Sequence, residues 1–125
     1  MITATFSVDE KSHSISMKMK GHAQAGDPGY DLICAGASTL AYTLAQCLRF
    51  MHEQGKLRKE PHLLLRPGRA EITAKPRTPE AYAEALHTFF VIQAGLSLLQ
   101  ENYPEHVQVT MFDLAETPLS KESST

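Results

Sequence analysis

No run of apolar residues in this 125-residue chain approaches the ~20 needed to cross a bilayer as a helix. A membrane partner is therefore not expected. The start, Met1-Ile2-Thr3-Ala4-Thr5-Phe6, lacks the basic segment and long apolar core of a secretory signal. A cytoplasmic location is the expectation. Cysteine is scarce, with Cys34 and Cys47 alone. If both lie on one helix they are roughly 20 Å apart, against the ~7 Å that a disulfide tolerates. That geometry excludes an internal bridge, and two free thiols fit a reducing compartment. A charge excess is also lacking, since 12 basic side chains face 14 acidic ones. Bulk electrostatics do not draw such a chain to phosphate backbones, and no direct nucleic-acid partner is expected. Lys56, Arg58, Lys59, Arg66 and Arg69 could make a local basic patch, but a solvated face is the plainer reading.

Metal-binding spacings are missing too. His13, His52, His62, His87 and His106 are scattered, and none pairs at Cys-x-x-Cys or His-x-x-x-His distance. The glycines between 21 and 29 do not end in the Lys-Ser/Thr of a phosphate-cradling loop. No metal and no cofactor is expected.

What is present reads as one compact domain over residues 1–113, followed by a polar tail over 114–125. Ile2, Ala4, Phe6 and Val8 alternate with polar neighbours, as do Ile15, Met17 and Met19. Together they predict a β-hairpin. Residues 21–30 hold three glycines and a proline and predict a loop. Ile33, Ala37, Leu40, Ala41, Leu44, Leu48 and Met51 recur at helical steps, with Gly55 as the stop. Pro67-Gly68 predicts the turn of a second hairpin over 62–74. Thr78-Pro79-Glu80 opens a second helix, ending before Pro104. Its apolar residues cover more than one face, so one side is expected to meet a partner subunit. Val107, Val109 and Met111 predict a last strand. The order β-β-α-β-β-α-β is that of an α+β fold, a mainly antiparallel sheet with two helices packed on it.

Two residues stand out as chemistry. With Asp31 as N-cap, Cys34 falls in the first turn of the first helix. Unpaired N–H groups and the positive end of the macrodipole favour a thiolate there. The same N–H groups could hold an oxyanion. His22 ends the preceding strand, and the loop could bring its imidazole back to the sulfur as a base. Asp31 could instead orient His22, though capping is the expected role. Against this stands a plainer reading: a lone helical cysteine is commonly a small buried hydrophobe. Cys47, among Leu40, Leu44 and Met51, is read that way.

Gly21-His22-Ala23, Gly26, Gly29, Asp31, Cys34-Ala35 and Ser38 together resemble the signature of the ribosomal-processing cysteine proteases. Chain length, element order and Tyr103-Pro104 agree with the resemblance. It implies an α+β homodimer with His22 as base and Cys34 as nucleophile, and with Gly21, Asp31 and Ser38 in support. It implies a ribosomal-protein precursor as substrate. In that family an N-terminal extension is removed from large-subunit protein number twenty-seven, after a pair of aromatic residues. Gly36 departs from the alanine common in the family and weakens the helix by up to ~1 kcal/mol. A loop that closes over substrate would set the His22–Cys34 distance. Two other readings compete: a non-catalytic ribosome-associated factor that keeps the fold, and a redox sensor, for which Cys47 is too distant a resolving thiol.

Overall fold

In the computed structural model, residues 1–23 and 29–113 are described. The expected tail and the middle of the 21–30 loop lie outside them. The elements are β1 (Ile2–Asp9), β2 (Ser14–Lys20), α1 (Tyr30–Glu53), β3 (His62–Arg66), β4 (Arg69–Ala74), α2 (Pro79–Asn102) and β5 (Val107–Asp113). This is the expected order.

Period-two patterning sets which side of each strand is covered. Ile2, Ala4, Phe6 and Val8 of β1 are buried, as are Ile15, Met17 and Met19 of β2 and Ala70, Ile72 and Ala74 of β4. Cross-strand partners such as Phe6↔Met17 and Met17↔Ile72 share that side. The sheet runs β3-β4-β2-β1-β5, antiparallel except where β5 joins β1 in parallel. Such a sheet can cover one face and leave the other to water. Thr3, Thr5, Lys18, Lys20 and Arg69 fall on the open face, out of phase with the buried residues.

Both helices cover the same side. The Phe89 ring of α2 meets the Phe6 ring edge-on, with centroids 4.8 Å apart at 70°, a favoured aromatic geometry. On α1, Ile33, Ala37, Ala41, Leu44, Ala45, Leu48 and Met51 are buried. The run of alanines keeps this helix close to the strands. The outward side of α2 stays bare: Phe90, Val91 and Leu98 are 45%, 55% and 59% exposed.

The helix ends explain one departure from expectation. Helix α2 starts as predicted, with Thr78 Oγ1 accepting from Ala81 N at 3.0 Å and Pro79 as the first helical residue. Helix α1 ends as predicted. Gly55 N donates to His52 O and Lys56 N to Met51 O, both at 3.0 Å. This is a Schellman closure with Gly55 at φ 74°. The start of α1 differs. Its N-cap is Gly29 at φ 78°, with no side-chain cap bond, and Ile33 N already donates to Gly29 O at 2.8 Å. Asp31 is therefore not the cap. It lies in the first turn, where its charge favours the macrodipole. A left-handed cap suits glycine, and a Cβ there would come within 2.9 Å of the Tyr103 ring.

Among the described residues, no helix is long and apolar enough to cross a membrane. The two helix starts make different predictions. Thr78→Ala is expected to cost about 1 kcal/mol of unfolding free energy. Asp31→Ala is expected to cost only a few tenths, the macrodipole share. Urea unfolding of both variants checks this; equal losses would mean that Asp31 caps the helix after all.

Candidate active site

Strand β2 ends at Lys20, and the chain passes through Gly21 into His22. Gly21 holds φ 98°, and a side chain there would run into the Met1 carbonyl. Its N–H donates to Gly68 O at 2.9 Å. That bond ties the end of β2 to the Pro67-Gly68 turn between β3 and β4. The α-amino group of Met1 donates to the His22 carbonyl at 2.9 Å. His22 is exposed at the rim, while its neighbour Ala23 is buried at 2%.

Cys34 approaches from the other side. Cys34, Ala37, Ser38, Ala41 and Tyr42 stand at positions i, i+3, i+4, i+7 and i+8, so they share one face of α1. That face and the strand ends enclose a small cavity of about 50 Å³. Its wall includes His22, Gly21, Cys34 and Ser38, together with Met19, Tyr42 and the turn residues Arg66 to Arg69. Four of the five expected site residues therefore line one space. Asp31, the fifth, is exposed one turn earlier and does not line it. The volume suits one or two waters rather than an aromatic side chain.

Cys34 sits deeper in α1 than the sequence suggested. With Gly29 as cap it is the fifth helical residue, not the third. Its N–H therefore falls within the i→i−4 ladder, and the uncommitted N–H groups belong to Gly29 through Leu32. The macrodipole also fades beyond the first turn. Both effects credited to Cys34 from position are weaker than expected. What remains is a free thiol, partly buried against the core and facing a histidine-lined cavity. Cys47, also free, is half-exposed on α1 rather than buried in the core.

The turn was missed as part of the site. Arg66 and Arg69 pair across it, and Arg69 pairs with Lys20 of β2. Three cations thus stand in one row at the cavity end of the sheet, an arrangement that repels. Glu71 offsets it. Arg69 Nε and Nη2 both donate to Glu71 Oε2, at 3.0 and 2.5 Å. The hydrogen bond from Arg69 holds the Glu71 carboxyl below its ordinary pKa, helped by the charges of Arg69, Lys18 and His62 and opposed by burial. The sequence signal for this wall is Pro-Gly flanked by arginines, but nothing local says that the turn meets His22.

Among the described residues, no group of three or more His, Cys, Asp or Glu side chains is placed to hold a metal ion.

The sequence profile of the family described as cysteine protease Prp matches residues 1–108. A search of curated proteins returned no match. Among solved structures, the chain is similar to a crystal structure from Streptococcus mutans at 23% identity and TM-score 0.61, covering 90% of this chain and 95% of that one. It is also similar to the ribosomal processing protease Prp of Staphylococcus aureus in complex with a substrate peptide. That likeness is 22% identity and TM-score 0.64, over 89% of this chain and 99% of that one. A second complex of the S. aureus protease, with a covalently linked product peptide, gives 21% identity and TM-score 0.62. At such identities the likeness is one of fold.

One electrostatic outcome follows from the turn. A depressed Glu71 stabilises the fold above the unfolded value of 4.5, and that share is lost as pH falls through the lower folded value. The stability gap between wild type and Glu71→Gln should therefore narrow as pH drops below about 4.5. A gap that stays constant, followed by denaturant unfolding at stepped pH, would remove the Arg69–Glu71 pair as a support of this turn.

Proposed function

We infer the reaction from a plain premise: this chain belongs to the cysteine protease Prp family, and it is a cysteine protease. Within that activity, we propose Cys34 as the nucleophile and His22 as the base. The observation that carries this is that both side chains line one cavity, though different elements bring them there. His22 takes the thiol proton, and the sulfur attacks the scissile carbonyl. The tetrahedral intermediate collapses to a thioester as His22 returns the proton to the leaving amine. Water then hydrolyses the thioester, releasing the acid and restoring the thiol. Ser38, one turn beyond Cys34 on the same face, supports the site with a hydroxyl rather than reacting.

The proposed substrate is a ribosomal-protein precursor, large-subunit protein number twenty-seven. Its N-terminal extension is cut after an aromatic pair. Support comes from the family and from the fold shared with a ribosomal processing protease solved with a substrate peptide. The narrow cavity adds a condition. An aromatic pair must lie along its mouth or widen it, which fits a loop that closes on substrate. The setting that suits two free thiols and a ribosomal substrate is the cytoplasm. The protease is proposed to work as a homodimer, and the bare Phe90, Val91 and Leu98 of α2 support that reading as an apolar surface for a second copy.

The test is cleavage of a peptide with an apolar stretch, two phenylalanines and a small following residue. Wild type should cut after the aromatic pair. Cys34→Ser should show no turnover, and His22→Ala should lose about 10²- to 10⁴-fold in kcat. Cleavage that survives in Cys34→Ser removes Cys34 as nucleophile. No cleavage by folded, reduced wild type turns the reading to a ribosome-associated binding factor. For the dimer, light scattering at micromolar protein should give twice the chain mass, and Leu98→Asp should shift it toward monomer.

A further inference from the structure

We propose that Gly68, at the tip of the β3–β4 turn, is a positioning residue for His22. The inference rests on the proposed role of His22 as base and adds the part of the fold that aims it. Two observations converge here. The first is main-chain: Gly21 N donates to Gly68 O at 2.9 Å, so the turn is fastened to the residue next to His22. The second is spatial: the His22 ring occupies the space where a Gly68 side chain would stand. A Cβ built on Gly68 collides with His22 Nε2, falls 2.7 Å from Cε1 and lies 3.0 Å from Cδ2. Real Cβ atoms do not come that near, so one of the two must move. The His22 ring is the end of a short side chain with two torsions, so it is the ring that turns away.

Nε2 and Cε1 are the atoms nearest the missing Cβ, so the Nε2 edge of the imidazole rests against Gly68 in the space that its lack of a side chain leaves. Any side chain at 68 closes that place while leaving His22 present in the sequence. A base moved by about 1 Å can lose about 10²-fold in rate. The turn thus works as a seat for the ring, built from the absence of a side chain, and acts on the reaction only through His22.

Backbone strain could mimic this effect, and the chain contains its own control. Gly55 has the same φ of 74° as Gly68, but nothing lies within 4 Å of a Cβ built there. Gly55→Ala therefore carries the left-handed strain without the collision. A second variant, Gly68→Asn, keeps the collision and eases the strain, because asparagine tolerates left-handed backbone.

The experiment compares wild type, Gly68→Ala, Gly68→Asn, Gly55→Ala and His22→Ala as full-length proteins on the cleavable peptide. It reads kcat, KM, the pH profile of kcat/KM and the melting temperature. The expected result is a loss of about 100-fold in kcat for both Gly68 variants with KM changed by less than about threefold. Their pH profiles should lose the limb that His22→Ala loses. Gly55→Ala should melt lower, yet keep the wild-type kcat and profile. If Gly68→Ala does not fold, Gly68→Asn carries the test. Gly68 variants within threefold of wild-type kcat, with the profile unchanged, overturn the proposal while leaving His22 as base. A kcat loss in Gly55→Ala equal to that in Gly68→Ala overturns it as strain alone. Full activity in His22→Ala overturns the proposal together with the reading of the base.

Discussion

The candidate site depends on one main-chain hydrogen bond at the end of the sheet. The β2–β4 ladder runs from Ile15↔Ala74 to Lys20↔Arg69. The bond from Gly21 N to Gly68 O extends it by one step, beyond the last residue of β2. A bond between backbone atoms does not wait on a rotamer. His22 therefore inherits its place from the sheet and needs no neighbouring carboxylate to hold its main chain. The other half of the site is inherited in the same way. Helix α1 lies close to the strands because Ala37, Ala41 and Ala45 face them, and that closeness brings Cys34 to the strand ends. Larger side chains on that face would lift the helix and open the gap between sulfur and imidazole.

Charge works against this arrangement before it works for it. Lys20, Arg69 and Arg66 meet side by side where the turn closes. Glu71, two residues along β4 from Arg69, holds one of the three through two donors. The turn is kept in register by the Arg69–Glu71 ion pair on the sheet's open face, and Arg69 also lines the cavity.

Most of the fold was legible because its signals are local. Alternation in Ile2 to Val8 and in Ile15 to Met19 marks covered strands, and Thr78-Pro79 marks a helix start without reference to anything distant. The start of α1 misled for the same reason. Asp31 is a good capping residue by type, whereas the cap in use is a glycine whose backbone geometry leaves no sign in residue type beyond permissiveness. The candidate site was legible in part. His22 and Cys34 stood out through a spaced signature, but the wall that completes their cavity comes from residues 66–70, joined to them by strand pairing alone. Pairing is long-range, and a Pro-Gly turn carries no mark of what it will face. The apolar surplus of α2 was visible in the sequence as a count, and the structure shows where it sits, on a side that none of the described elements covers.

The parallel contact between β1 and β5 carries a consequence for how this chain reaches its fold. Ile2 pairs with Val107 and Phe6 with Met111, so the first strand finds one of its two neighbours at the far end of the chain. Closing so long a loop must come before the contacts that reward it, which slows folding. During synthesis β1 can pair with β2 early, but its other edge stays open until β5 has left the ribosome. An open edge of this kind invites pairing with other chains. The interval is set by chain length rather than by any side chain, and it leaves the sheet one strand short until almost the whole chain has been made.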